Sequence, residues 1–181
     1  LGYKVTFIPK NFEDFGVYTQ ILRDIGVEVI VSPFYRSIED FVARRGSEFD
    51  CAYITRYYVA EVSIPALREH APNCKIIMCN ADLHFLRELR AAGEDPNKLA
   101  RAAEVREMEL EMILKTDVVI SYNETEHAVI QSHTDNAVKI MKCPWVVNIP
   151  NRFPSFNTTE GLAFLGGFKH PPNREAMEWF A

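Results

Sequence analysis

The sequence lacks most of the marks from which a function is read directly. Its four cysteines, Cys51, Cys74, Cys79 and Cys143, form no C-x-x-C pair, so neither a zinc ribbon nor a dithiol redox centre is indicated, and reduced core thiols are expected. His127 and His133 are six residues apart, a spacing that does not align two ligands on a helix face, and no HExxH occurs; no zinc site or other metal cofactor is expected. G-x-S-x-G, G-x-G-x-x-G and the P-loop are absent too, which leaves covalent acyl chemistry without support. No apolar run approaches the roughly 18 residues needed to span a bilayer, and no signal peptide is visible. The 20 basic and 25 acidic residues sum to a net charge of -5, which offers no electrostatic footprint for nucleic acid or an anionic membrane. A cytoplasmic location is the expectation.

What is present is a strong α/β rhythm. With 48% apolar content, 181 residues can bury one good core with some left for a second region. Short runs rich in Val, Ile and Phe alternate with stretches of helical period, the pattern of a parallel sheet wrapped by helices. Strands are expected over residues 4–8, 27–31, 50–55, 75–79, 118–121 and 137–141. Val17, Tyr18, Ile21, Leu22 and Ile25 recur at helical spacing, and Gly26 closes that helix. The opening LGYKVTFIP matches IGVEVIVSP 24 residues on, so Gly2 is expected to close a helix upstream and the chain to be the middle of a longer protein. Ser37 is the expected N-cap of a second helix, with Asp40 three residues on and Gly46 at its end. Residues 59–70 contain Pro65, which requires a kink or a helix starting there. Residues 99–115 read as the strongest helix, with Val105, Met108, Met112 and Ile113 on one face and Glu111 placed to pair with Lys115.

From Cys143 the period is lost in CPWVVNIPNRFPSFNTTEG, whose prolines and small polar residues read as a linker over 143–161. Residues 1–142 then form one domain. A new strand over 162–165, the turn GGFKHPPN and a helix look like the opening of a second domain at 162–181.

Open parallel sheets take ligands beyond the carboxyl ends of their strands, which singles out Arg56, residues 80–84, Asn123 with Glu124, and the turn 166–173. Asp82 reads as an N-cap with a second role open to it. His84 falls in the first helical turn, where the positive end of the macrodipole favours a neutral imidazole able to donate to or accept from a sugar hydroxyl; a surface histidine without a role is the alternative. His70 reads as a helix-end residue near free carbonyls. Gly166 and Gly167 allow a close backbone approach, and the prolines followed by Asn173 set a helix start whose free N–H groups suit a diphosphate. Lys169 and His170 add donors; a plain tight turn is the alternative.

The segments ADLHFLRELR, TDVVISYNETEH, VVNIPN and LAFLGGFKHPPNREAMEWF together resemble the large retaining glycosyltransferase family four, of GT-B fold, over nearly all of the chain. The two motifs that carry the likeness are D-L-H-F-L-R, at Asp82 to Arg87, and G-G-F-x-H-P-P-N, at Gly166 to Asn173. Cys79 stands where members often carry an acid, and Arg152 follows Asn151 where glycine is common. The resemblance implies an acceptor-side Rossmann-like domain with helices on both faces, a hinge, and the start of a donor-side domain that binds a nucleotide sugar in the cleft. It implies His84 and Asp82 as catalytic candidates at the transferred sugar, and Gly166, Gly167, His170 and Asn173 at the donor. Arg56, Asn123 and Glu124 are candidates for cleft contacts. The partners implied are a nucleotide-sugar co-substrate and a glycan or other hydroxyl acceptor, with cell-surface polysaccharide or glycoconjugate synthesis as the setting and the inner membrane face as an alternative location. By resemblance, the glycine-rich acceptor loop and a donor-side acidic pair lie outside this chain, so the fragment alone is expected to be inactive. The competing readings are a non-catalytic sugar- or nucleotide-binding module acting as an interaction platform, and a nucleotide-sugar epimerase of the same architecture.

Overall fold

The structure, a computed structural model, describes residues 2–144, 148–152 and 154–181. The chain divides into two units between residues 145 and 146, inside the expected linker, of which residues 145–147 and 153 lie outside the described residues.

The first unit is α/β, as the sequence pattern implies. Its elements run β1 (Thr6–Phe7), α1 (Val17–Asp24), β2 (Glu28–Val29), α2 (Ile38–Arg45), β3 (Cys51–Thr55), α3 (Tyr57–His70), β4 (Lys75–Cys79), α4 (His84–Ala92), α5 (Pro96–Leu114), β5 (Val118–Ser121), α6 (Glu124–His133) and β6 (Ile140–Lys142). Strands β3, β4, β5 and β6 form a parallel sheet in that order, and β1 pairs with β2 in a separate parallel ladder. This is a Rossmann-like arrangement with helices as crossovers. β4 is central, and Ile76, Met78 and Cys79 are fully buried there, as a strand covered on both faces requires. Phe41, Ile64, Ile113, Val119 and Ile130 pack around it.

Local chemistry explains several of the boundaries. The Asp40 amide donates to Ser37 Oγ at 3.1 Å, and the Arg36 amide donates to the Asp40 carboxylate at 3.0 Å, a reciprocal cap at the start of α2. Gly26, at φ 86°, closes α1 with a Schellman pair: its amide donates to Arg23 O, and the Val27 amide donates to Leu22 O. Gly46 ends α2 for a different reason, since its φ is -56° and right-handed. A Cβ there would meet Val42 Cγ1 at 3.0 Å and Ala71 Cβ at 3.1 Å, so space selects the glycine. Asp95 caps α5 through the amides of Asn97 and Lys98, with Pro96 in the first turn, so the helix begins before residue 99. Lys115 pairs with Glu111 as expected.

Several expectations are corrected. α3 runs through Pro65 rather than starting at it, because its first two turns are already formed by residues N-terminal to the proline. α1 forms as expected and ends before Gly26; Val17, Tyr18 and Ile21 are exposed, as is Ile25 just beyond it, and Thr19 is the buried residue of the helix. β6 starts three residues later than expected, since Asp135 and Asn136 take positive φ and Ala137 donates back to Thr134 in a turn. Cys74 and Cys79 are buried free thiols, but Cys51 and Cys143 are exposed. His70 ends α3 with its ring 3.9 Å from the Glu69 carboxylate, not on carbonyl groups.

Asp117 ties three elements together. Its carboxylate accepts from the Ile76 amide of β4 at 2.8 Å and from Arg68 of α3 at 3.0 Å, with Lys75 Nζ at 3.6 Å. The amide bond, and then Arg68, hold its carboxyl below the usual carboxylate range. A depressed folded pKa contributes stability that is present above the unfolded pKa and lost as pH falls through the folded one. Asp117→Asn should therefore flatten the acid limb of a stability-against-pH curve measured by urea unfolding; an unchanged acid limb refutes this.

Among the described residues, the second unit contains one helix, α7 (Pro171–Phe180), and a single 3-10 turn at Phe156–Thr158. The strand expected over 162–165 is absent. No neighbouring strand pairs with those residues among the described ones, and Leu162 and Leu165 lie in the open. Among the described residues, no helix is long and apolar enough to cross a membrane.

Candidate functional site

The carboxyl ends of β3 and β4 are neighbours in the sheet, which brings Arg56 beside Asp82 and His84. The main chain at Arg56 takes φ 77° and ψ 145°, a region that disfavours any residue but glycine and costs of order 1–3 kcal/mol. Its amide donates to Cys79 O at 2.8 Å, which pins the bend to β4. The guanidinium crosses to the next strand end. Arg56 Nη1 donates to Asp82 Oδ1 at 2.8 Å and stands 2.9 Å from His84 Nε2. Arg87, one turn into α4, donates to the other Asp82 oxygen at 2.7 Å. One carboxylate is thus shared by two guanidinium groups.

His84 is the first residue of α4, as expected, but it is 7% exposed rather than open to solvent. Tyr57 and Tyr58 meet its ring edge-on, at centroid distances of 5.2 and 5.9 Å. Nδ1 lies 3.3 Å from Glu109 Oε1. Arginine carries only donors, so the 2.9 Å contact makes Nε2 the acceptor and leaves Nδ1–H to donate to Glu109.

Asp82 does not cap α4. The cap position is Leu83, and no side chain of that segment bonds the first turn. Asp82 is drawn away by its two arginines, and carboxylates from other helices take over. Glu109, fully buried on α5, accepts from the His84 and Phe85 amides at 3.2 and 3.1 Å. Glu126, on α6, lies 3.4 Å from the Leu83 amide and accepts from Asn80 Nδ2 at 3.1 Å. Asn80 Oδ1 is buried with no partner among the described residues.

Glu109 is the residue the sequence reading missed. Its signal was available: it stands between Val105 and Met112 at helical spacing, a charged residue on the apolar face of α5. A carboxylate at such a position must find donors or neutralise.

Asn123 and Glu124 do not join this cluster. Asn123 caps α6, its side-chain oxygen accepting from the Glu126 amide at 2.8 Å. The Lys142 ammonium bonds Glu124 and holds its carboxyl below the usual range. Two cavities in the first unit lie elsewhere. One, of about 460 Å³, is lined by Ile64, Pro65, Arg68 and Lys115. The other, of about 210 Å³, opens against Phe7, Pro9 and Tyr18.

In the second unit, the turn 166–173 is partly closed by its own residues. A Cβ on Gly166 would meet the Asn173 side chain at 2.8 Å and Phe164 at 2.9 Å, while the space beside Gly167 is open. Asn173 Nδ2 donates to Gly167 O, so its carboxamide braces the turn. The expected free donors at the helix start are not there. Pro171 and Pro172 have no N–H, and the Asn173 amide donates to His170 O at 3.1 Å. Main-chain donors for an anion must come from residues 167–169, with the Lys169 and His170 side chains beside them. Among the described residues, no group of three or more His, Cys, Asp or Glu is placed to hold a metal. Compared with protein-family models, curated proteins and solved structures, the chain matches none.

Proposed function

We propose that the chain contains the acceptor-side domain of a retaining sugar transferase that uses a nucleoside diphosphate sugar, and the start of its donor-side domain. The observation that carries this reading is the Arg56, Asp82 and His84 cluster at the carboxyl ends of adjacent parallel strands, the place where open α/β sheets take ligands. The sequence resemblance supports two of the three, Asp82 and His84; Arg56 stands on its place at a strand end. In this reading His84 bonds a hydroxyl of the transferred sugar, and Asp82 holds Arg56 and Arg87 beside it. Within the second unit, the amides of residues 167–169, with Lys169 and His170, are the donors available to a diphosphate.

Calorimetric titration of the complete gene product with UDP, GDP and dTDP sugars tests the donor. One nucleotide series should bind and be turned over when a hydroxyl acceptor is supplied; silence with all three sinks the reading. A second reading, a non-catalytic sugar- or nucleotide-binding module, is favoured by the proline-closed start of α7 and by the engagement of both His84 ring nitrogens. Binding without any transfer would select it.

A further inference from the structure

We propose that Glu109 is a positioning residue that locks His84 in its Nδ1–H tautomer, so that Nε2 serves as a hydrogen-bond acceptor for a ligand hydroxyl, with Arg56 occupying that place until the ligand arrives. The hydroxyl ligand rests on the transferase reading above; the tautomer lock does not.

Glu109 is wholly buried, and the bonds that engage it converge on the first turn of α4. Oε2 takes the Phe85 amide at 3.1 Å, and Oε1 takes the His84 amide at 3.2 Å and faces Nδ1 at 3.3 Å. Both Glu109 oxygens already receive main-chain N–H groups, so the side chain faces Nδ1 as an acceptor and Nδ1 carries the hydrogen. Ring rotation is blocked on the other side by the edge contacts of Tyr57 and Tyr58. The lone pair of Nε2 is therefore presented in one direction.

In that direction stands Arg56. Its Nη1 has two hydrogens, one for Asp82 and one for Nε2. The Asp82 bond survives if the His84 bond is given up, and the Arg56 side chain is one-third exposed, so the exchange strands neither group. A sugar hydroxyl donating to Nε2 replaces one N–H donor by an O–H donor of the same polarity. A ligand atom that offers only an acceptor, such as a phosphate oxygen, cannot take this place and would be drawn to Arg56 instead.

The test is the pair of imidazole ¹⁵N chemical shifts of His84 in uniformly labelled complete gene product. The wild type should show Nδ1 protonated and Nε2 unprotonated; the reverse pattern, or protonation of both, overturns the proposal. Glu109→Gln, which exchanges one acceptor oxygen for a donor, should raise the Nε2–H population, and an unchanged pattern overturns the lock. Because that variant can fail to fold, Arg56→Met provides a second arm. It removes the donor on Nε2 and leaves Glu109 in place, so the Nδ1–H pattern should persist; a switch would make Arg56 the lock and overturn the assignment to Glu109. If the protein transfers sugar, Glu109→Gln should lower kcat by about tenfold with KM for the donor changed less than about twofold, the mark of an interaction realised in the transition state. Equal loss in both, or in KM alone, overturns the positioning role. If no transfer is found, the shift measurements still decide the tautomer.

Discussion

Glu109→Leu should lower the melting temperature by roughly 10 °C, measured by calorimetry on the purified chain. Leucine keeps most of the volume, so the cavity contribution is small and the loss of acceptors dominates. Three donors, the His84 and Phe85 amides and His84 Nδ1, are left buried without partners. Each orphaned group costs about 1–3 kcal/mol, and relief from desolvating the carboxylate offsets only part of that, so the net loss is about 3–5 kcal/mol. For a chain of this size, 1 kcal/mol moves the midpoint by roughly 2–4 °C. Glu104→Leu, on the exposed face of the same helix, is the control and should stay within about 0.5 kcal/mol of wild type. A Glu109→Leu midpoint within about 2 °C of wild type would show that Glu109 is not the cap of α4.

The second large effect concerns turnover. In the complete gene product, His84→Ala should reduce kcat for sugar transfer at least about tenfold, equivalent to roughly 1.4 kcal/mol of transition-state stabilisation. The ring is nearly buried, so its removal also leaves a void between Tyr57, Tyr58 and Glu109. The assay is therefore run well below the variant's own midpoint. His84→Asn, which fills part of the space with a group that can still accept a hydrogen bond, should recover some of the loss. A folded His84→Ala enzyme with unchanged turnover would remove the histidine from the reaction.

The sheet was legible in the sequence because β-branched runs between helical stretches leave little choice of architecture: β4 and β5 fall on the residues their composition marks. Caps written in adjacent residues were legible as well, as at Ser37 with Asp40 and at Gly26. What was not legible depends on partners distant in sequence. Asp82 has the residue type and position of an N-cap, and the arrival of Arg56 from the end of β3, 26 residues earlier, together with the nearby Arg87, explains why it is used otherwise. Glu109 stands out in the sequence as an acid on the apolar face of α5, but the amides it serves become visible only when α4 is packed against it. The apolar spacing of α1 marks a helix, and its exposure shows that periodicity reports a face but not what covers it. At GGFKHPPN the prolines start the helix, as their type implies, but bring no N–H donors to its first turn.

The cap of α4 has a consequence in time. The acids that hold its first turn follow it by 24 to 43 positions along the chain. At about 5–20 residues per second of synthesis, that stretch of polypeptide emerges on the order of seconds after the histidine itself. Until α5 and α6 dock, the leading amides of α4 have only water to bind, and the turn bearing His84 frays. The cluster is thus completed by the later half of its own unit, and a nascent chain stalled before Glu109 would carry Arg56, Asp82 and His84 without the means to aim them.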